Sequence, residues 1–203
     1  MRHWLYGLGL VALVSAGAAQ AQVAPDDMDK RITAQAMQLQ EKASQADRAA
    51  FVDFTWPADA AEYRSLAKHV LVLVSAVSRD EKELPVKRVY IEAGGKAIEL
   101  RRLGGDRTEI AADSAVAKVL GAHREDSFWL APASAMARKG HLRLDFATNR
   151  EGFGVYELPG DPPDFIARDP KPLPARTAKP DLKAVRAMLE REYPGFPVPH
   201  ELL

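Results

Sequence analysis

The 203-residue sequence predicts a mainly β fold with an antiparallel, sandwich-like core, or an α+β fold, with one helix before the core and one after it. Three observations predict it. Short strand-like segments follow one another between residues 69 and 158, broken by glycine-bearing turns, as in antiparallel hairpins and unlike parallel βαβ units. "HVLVLVSAVS", His69–Ser78, is an unbroken β-branched and leucine run of the kind a sheet buries on both faces. Two stretches, 26–50 and 181–193, instead space their apolar residues by three or four, as amphipathic helices do.

The first element is a leader. Arg2 and His3 form a short positive region, Leu5–Ala16 is almost wholly apolar, and Ala19-Gln20-Ala21 is a small-x-small site. That is the pattern of a secretory signal peptide cut after Ala21. Its apolar run falls short of the roughly 20 residues that a membrane-crossing helix needs. The expectation is a periplasmic or secreted protein of 182 residues with no transmembrane segment once the 21 are removed.

In the helical lead-in, 22–50, Met28, Ile32, Ala36, Leu39, Ala43, Ala46 and Ala50 form one mildly apolar stripe, with Asp26 and Asp27 at its N-terminal end. A core domain spans 51–158. Pro57 opens a short helix in "ADAAEYRSLAKH", the His69–Ser78 run is a buried strand, and "VKRVYIE" alternates, with Val89 and Ile91 inward. Gly94-Gly95 turns the chain into Ala97–Leu103, and Gly104-Gly105-Asp106 is expected to turn it again into "RTEIA". "DSAVAKVLG" reads as a helix capped by Asp113 and stopped by Gly121, "AHREDS" as a polar connection, and "SFWLAP" as a strand. A helical turn ends at Gly140, and His141–Leu158 closes the core as a hairpin with Leu142, Leu144 and Phe146 on one face. Ten of the 14 prolines lie from Pro159 onward, so 159–180 is a proline-rich strap. The C-terminal unit, 181–203, is a helix with a Leu182, Val185, Leu189, Tyr193 stripe, followed by an apolar tail.

Composition narrows the chemistry. Lys and Arg total 28 and Asp and Glu total 28, a balance without the strong basic patch that nucleic-acid binding uses. With no cysteine there is no thiol nucleophile, cysteine zinc site or iron–sulfur cluster. The nucleophile-elbow, phosphate-loop and zinc-helix motifs are missing, and none of His69, His123, His141 and His200 has a second histidine three to five residues away. A calcium loop starting at Asp145 fails at its third and sixth positions, Ala147 and Arg150. No cofactor or metal is therefore expected.

The leading functional reading is a non-enzymatic envelope interaction or binding module, its partner an envelope protein or a small ligand. Two alternatives stand beside it. A hydrolase-like or ligand-processing enzyme would bring His123, Asp126 and Asp145 together in one cleft, His123 acting as base beside a carboxylate. A carrier of a small apolar ligand or carbohydrate would line a cavity with Trp56, Tyr90, Phe128, Trp129, Phe153 or Tyr156. Asp145, in the middle of a strand, needs a partner if it is buried. Arg143, Arg150 and Arg88 are the candidates, and a stabilising pair there predicts that Asp145→Asn lowers thermal stability.

Overall fold

The computed structural model describes residues 25–148, 153–158, 179–195, 198 and 202. Within it the apolar run His69–Ser78 forms strand β2 over its whole length, and nine of its ten residues are buried. Its alternating side chains feed two separate cores. Val70, Val72, Val74 and Ala76 belong to one, and Leu71, Leu73 and Val77 to the other.

In chain order the elements are α1 (Pro25–Glu41), β1 (Arg48–Thr55), α2 (Ala60–Ser65), β2, a 3-10 turn (Glu81–Glu83), β3 (Arg88–Ala93), β4 (Lys96–Glu99) and β5 (Arg101–Glu109). There follow α3 (Ala115–Leu120), β6 (His123–Pro132), α4 (Ala133–Met136), β7 (His141–Asp145), β8 (Phe153–Glu157) and α5 (Leu182–Glu192). The strands make two four-stranded sheets, ordered β1-β2-β6-β5 and β4-β3-β7-β8, with every pairing antiparallel. The architecture is the antiparallel β-rich one that the sequence predicts, with helices added.

The first sheet is the middle layer. Trp129 of β6 packs toward the second sheet with Val89, Ile91, Leu142, Leu144 and Phe146. Its neighbour Phe128 points the other way, under the helices, with Met28, Ile32, Val185 and Met188. Phe128 meets Tyr193 edge to face, ring centroids 5.7 Å apart. Each fully buried Leu, Ile, Val, Phe or Met contributes roughly 1.5–3 kcal/mol, so neither covering layer is dispensable.

Several boundaries depart from the sequence reading, each for a local reason. The lead-in helix stops at Glu41 instead of running to residue 50, because Arg48–Ala50 pair with Ala76–Ser78 as the start of β1. Ala97–Leu103 is not one strand: the chain changes sheets at Leu100, whose N–H still bonds to the Val89 carbonyl. Gly104-Gly105-Asp106 is no turn but the middle of β5, where the register shifts between Arg102 and Gly104. Ser114, not Asp113, caps α3, its hydroxyl accepting from the Ala117 N–H at 3.1 Å. Gly121 ends that helix at φ +119, and a Cβ there would lie 2.3 Å from the Ser78 carbonyl, so the position requires glycine. "AHREDS" is the first half of β6 and not a connection.

Helix α5 starts at Asp181, whose carboxylate accepts from the Lys183 N–H at 2.9 Å. It buries Val185, Met188, Leu189 and Tyr193, while Leu182 stays exposed. Residues 159–178 of the proline-rich strap lie outside the described residues. Among those described, no helix is long and apolar enough to cross a membrane.

Candidate functional site

Strand β6 opens with four polar residues, His123, Arg124, Glu125 and Asp126, and the pleat divides them between two faces. His123 and Glu125 turn toward the second sheet, Arg124 and Asp126 toward the helices. Each buried acid is then held by arginines.

On the helix side Asp126 is 6% exposed. The Ser75 hydroxyl donates to it, and Arg124 Nε lies 2.9 Å from its other oxygen. Arg124 Nη1 continues to Asp29 of α1 at 2.6 Å, so one guanidinium fastens the helix to the sheet. Burial lifts the Asp126 carboxyl above its ordinary range, with Arg124 and Ser75 pulling against it.

On the other side Glu125 is 1% exposed, 3.2 Å from Arg102 Nη2 and 3.6 Å from Arg107 Nε. Burial raises its carboxyl as well, against the pull of Arg102 and Arg107. Arg102 also lies over the Trp129 ring, 5.9 Å from its centroid. Trp129 Nε1 donates to Ser127 Oγ at 3.0 Å. The mid-strand glycine explains itself here. A Cβ on Gly105 would sit 2.9 Å from Arg102 Nη2, the Asp126 carbonyl and Ser127 Cβ, so a side chain would displace Arg102 from Glu125.

Asp145 stands apart from both clusters, on β7 opposite Arg88 of β3. Arg88 Nη1 is 3.6 Å from Asp145 Oδ2 and Arg88 Nε is 2.9 Å from Glu99. Of the three predicted partners, Arg88 takes the role, Arg143 pairs with Glu92, and Arg150 lies outside the described residues. Asp145 is 7% exposed and its Oδ1 finds no hydrogen-bond donor among the described residues. Burial raises its carboxyl, Arg88 lowers it and Glu99 adds a smaller rise.

The structure therefore does not bring His123, Asp126 and Asp145 together. His123 and Asp126 leave β6 on opposite faces, and Asp145 belongs to the other sheet. No hydrogen bond or ion pair joins any two of them among the described residues. The aromatic candidates also disperse. Phe128 and Trp129 are core, Trp56 is half-buried against the inter-sheet core, and Tyr90 lies under Arg88 on the outer sheet face. The side chains of Phe153 and Tyr156 lie outside the described residues.

Concave space lies at the margins of the sheets. A cleft of about 250 Å³ is lined by Arg101, Arg102, Leu103, Gly104, Leu182 and Leu202. A second, of about 220 Å³, holds His123 with Glu81, Leu84, Arg107, Thr108, Glu109 and Arg124. A wider groove of about 770 Å³ runs between the Gly94-Gly95 turn and Lys139–His141, with Glu92 and Leu158. Among the described residues, no Phe, Tyr or Trp lines any of the three. Among the described residues no three His, Asp or Glu side chains are placed to hold a metal ion.

Sequence reasoning missed Glu125, the most deeply buried acid, and Arg102, Arg107 and Arg124, the arginines that engage Glu125 and Asp126. The available signal was alternation: if "HRED" is a strand, Arg124 and Asp126 share one face as a ready ion pair and Glu125 is left on the other. Comparison with protein-family models, with curated proteins and with solved structures finds no match for this chain.

Proposed function

We propose that the protein is a non-enzymatic binding or interaction module of the cell envelope, exported through residues 1–21. One observation carries the reading. The acid and base groups at hand are spread over three surfaces, and the buried acids are engaged by Arg124, Arg102, Arg107 and Arg88 as fasteners between elements. General acid–base work needs such groups converging on one reacting atom. The open concave space along the sheet margins, with mixed charge and short apolar walls, is what a recognition surface offers.

The test has two arms on the same purified protein. Affinity capture from envelope extract, read by mass spectrometry, is expected to return a stoichiometric partner, and His123→Ala is expected to retain it. A panel of ester, phosphate and glycoside substrates is expected to show no turnover above buffer. Turnover abolished by His123→Ala would replace this reading with the enzymatic one.

A further inference from the structure

We infer that the Arg31–Asp53 pair is an edge plug: it occupies outward backbone groups of β1 and keeps that edge from pairing with a strand of a second copy of this chain. This goes beyond the binding reading and does not depend on it. β1 begins the order β1-β2-β6-β5 and has no strand on its outer side among the described residues. An open edge of that kind is a template for another chain, and proteins blunt it with charge or with a covering helix.

The direction of the ladder identifies the outward groups. Just past β2 the Arg79 N–H bonds to the Asp47 carbonyl at 2.9 Å, and the register then runs unbroken from Arg48 opposite Ser78 to Thr55 opposite Leu71. Hydrogen-bonded and non-hydrogen-bonded pairs alternate along antiparallel strands. Odd-numbered residues of β1 therefore bond to β2, and even-numbered ones turn their N–H and C=O outward. The Val52 carbonyl and the Phe54 N–H are consecutive groups on the outer edge, and both are taken. Arg31 Nη1 of α1 donates to the Val52 carbonyl at 3.1 Å, and the Phe54 N–H donates to Asp53 Oδ1 at 3.0 Å. Arg31 Nη1 also lies 3.7 Å from Asp53 Oδ2, which joins the two caps into one unit.

Packing sets the plug in place. Met28 and Ile32 hold α1 on the sheet, and Asp29 is bound to Arg124, which fixes the turn from which Arg31 reaches β1. Asp53 shares the helix face of its strand with Phe51. Its Oδ2 is buried with no hydrogen-bond donor among the described residues. Burial raises its carboxyl, with Arg31 and the Phe54 N–H pulling against it. An acid so placed costs stability, and a β-branched residue would suit a half-buried strand better. Closing the edge is what this acid supplies and an apolar residue does not.

The experiment is sedimentation of the purified protein across a wide concentration range, with four variants. Arg31→Met uncovers the Val52 carbonyl and Asp53→Val uncovers the Phe54 N–H. Each is expected to self-associate about tenfold or more tightly than wild type. Asp53→Asn keeps an oxygen able to accept from the Phe54 N–H and is expected to stay within about threefold of wild type. Tyr193→Phe removes a bond to the Thr55 side chain, uncovers no edge group, and is expected to match wild type. Arg31 is exposed and valine favours strands, so circular dichroism should show the two opening variants folded. In both, hydrogen exchange at the Val52 and Phe54 amides is expected to slow as concentration rises. Either opening variant sedimenting as wild type, Asp53→Asn or Tyr193→Phe associating as tightly as they do, or association that leaves those amides unprotected would each overturn the inference.

Discussion

Replacing Arg124 with Met removes the guanidinium that joins Asp29, Asp126 and Ser75 while keeping an unbranched stem. Asp126 is then a carboxylate with 6% of its surface exposed and only the Ser75 hydroxyl as donor. Stranding one member of a buried pair costs about 3–5 kcal/mol. Protonation sets a ceiling on that cost. Neutralising a group whose ordinary value is 3.8 costs about 1.4 kcal/mol per pH unit above it, so roughly 4 kcal/mol at pH 7 and under roughly 2 at pH 5. The sign follows from the raised folded-state value. The folded variant holds a proton that the unfolded chain has released, so its stability deficit shrinks as pH falls from 7 toward 3.8. His69 works in the opposite sense, since burial lowers its value from 6.5 and acid charges it in the unfolded chain first, but it is common to both proteins and cancels. Urea unfolding of wild type and Arg124→Met at pH 7 and pH 5 is the assay. A loss of about 3–4 kcal/mol at pH 7, seen as a melting point lower by roughly 8–15 °C, should fall by half or more at pH 5. A loss below about 1 kcal/mol at pH 7, or the same loss at both pH values, would refute the buried-pair reasoning.

Gly105→Ala places a Cβ at 2.9 Å from the Asp126 carbonyl and Ser127, and should cost about 1–3 kcal/mol in urea unfolding. Asp145→Asn reverses the sequence expectation. Burial outweighs Arg88, so the ionised form costs stability above its folded-state value, and the amide should melt at or slightly above wild type at pH 7, the gap closing in acid. Arg88 keeps Glu99 at 2.9 Å in that variant, and a clear drop in melting temperature at pH 7 would restore the stabilising pair. Tyr193→Phe removes the 2.6 Å hydrogen bond to Thr55 Oγ1, worth about 0.5–1.5 kcal/mol. Its phenol is pushed up to about 12 by burial, so ultraviolet titration of the variant should lose a tyrosine that ionises there.

What was legible in the sequence is what periodicity alone determines. The β2 run, the inward trio Leu142, Leu144 and Phe146, and the α5 stripe need no partner to be recognised, because burial of one face fixes them. Alternation sends the neighbours Phe128 and Trp129 to opposite faces, but it does not say that helices cover the first and the second sheet the other. Buried charge was readable at Asp145, whose mid-strand position called for a partner such as Arg88, and not in β6. Glu125 and Asp126 look like loop residues until Arg102 and Arg107 from β5, and Ser75 from β2, arrive from distant parts of the chain. Gly104-Gly105 misled for a related reason: glycine marks turns and close approaches alike, and only the tertiary fit of Arg102 over Gly105 distinguishes them. The strand exchange at Leu100 leaves no mark of its own, since one residue suffices to carry the chain from sheet to sheet.

The central claim is that the acid and base residues of β6 serve separate faces of the sheet and form no joint site. A double-mutant cycle on His123→Ala and Asp126→Asn, read by urea unfolding, tests it most directly. Arg124→Met with Asp126→Asn is the coupled reference, because those side chains touch. The account predicts additivity for His123 and Asp126 within about 0.5 kcal/mol, against a coupling of about 1 kcal/mol or more for the reference pair. A His123–Asp126 coupling as large as the reference would contradict it and put the two side chains in one site.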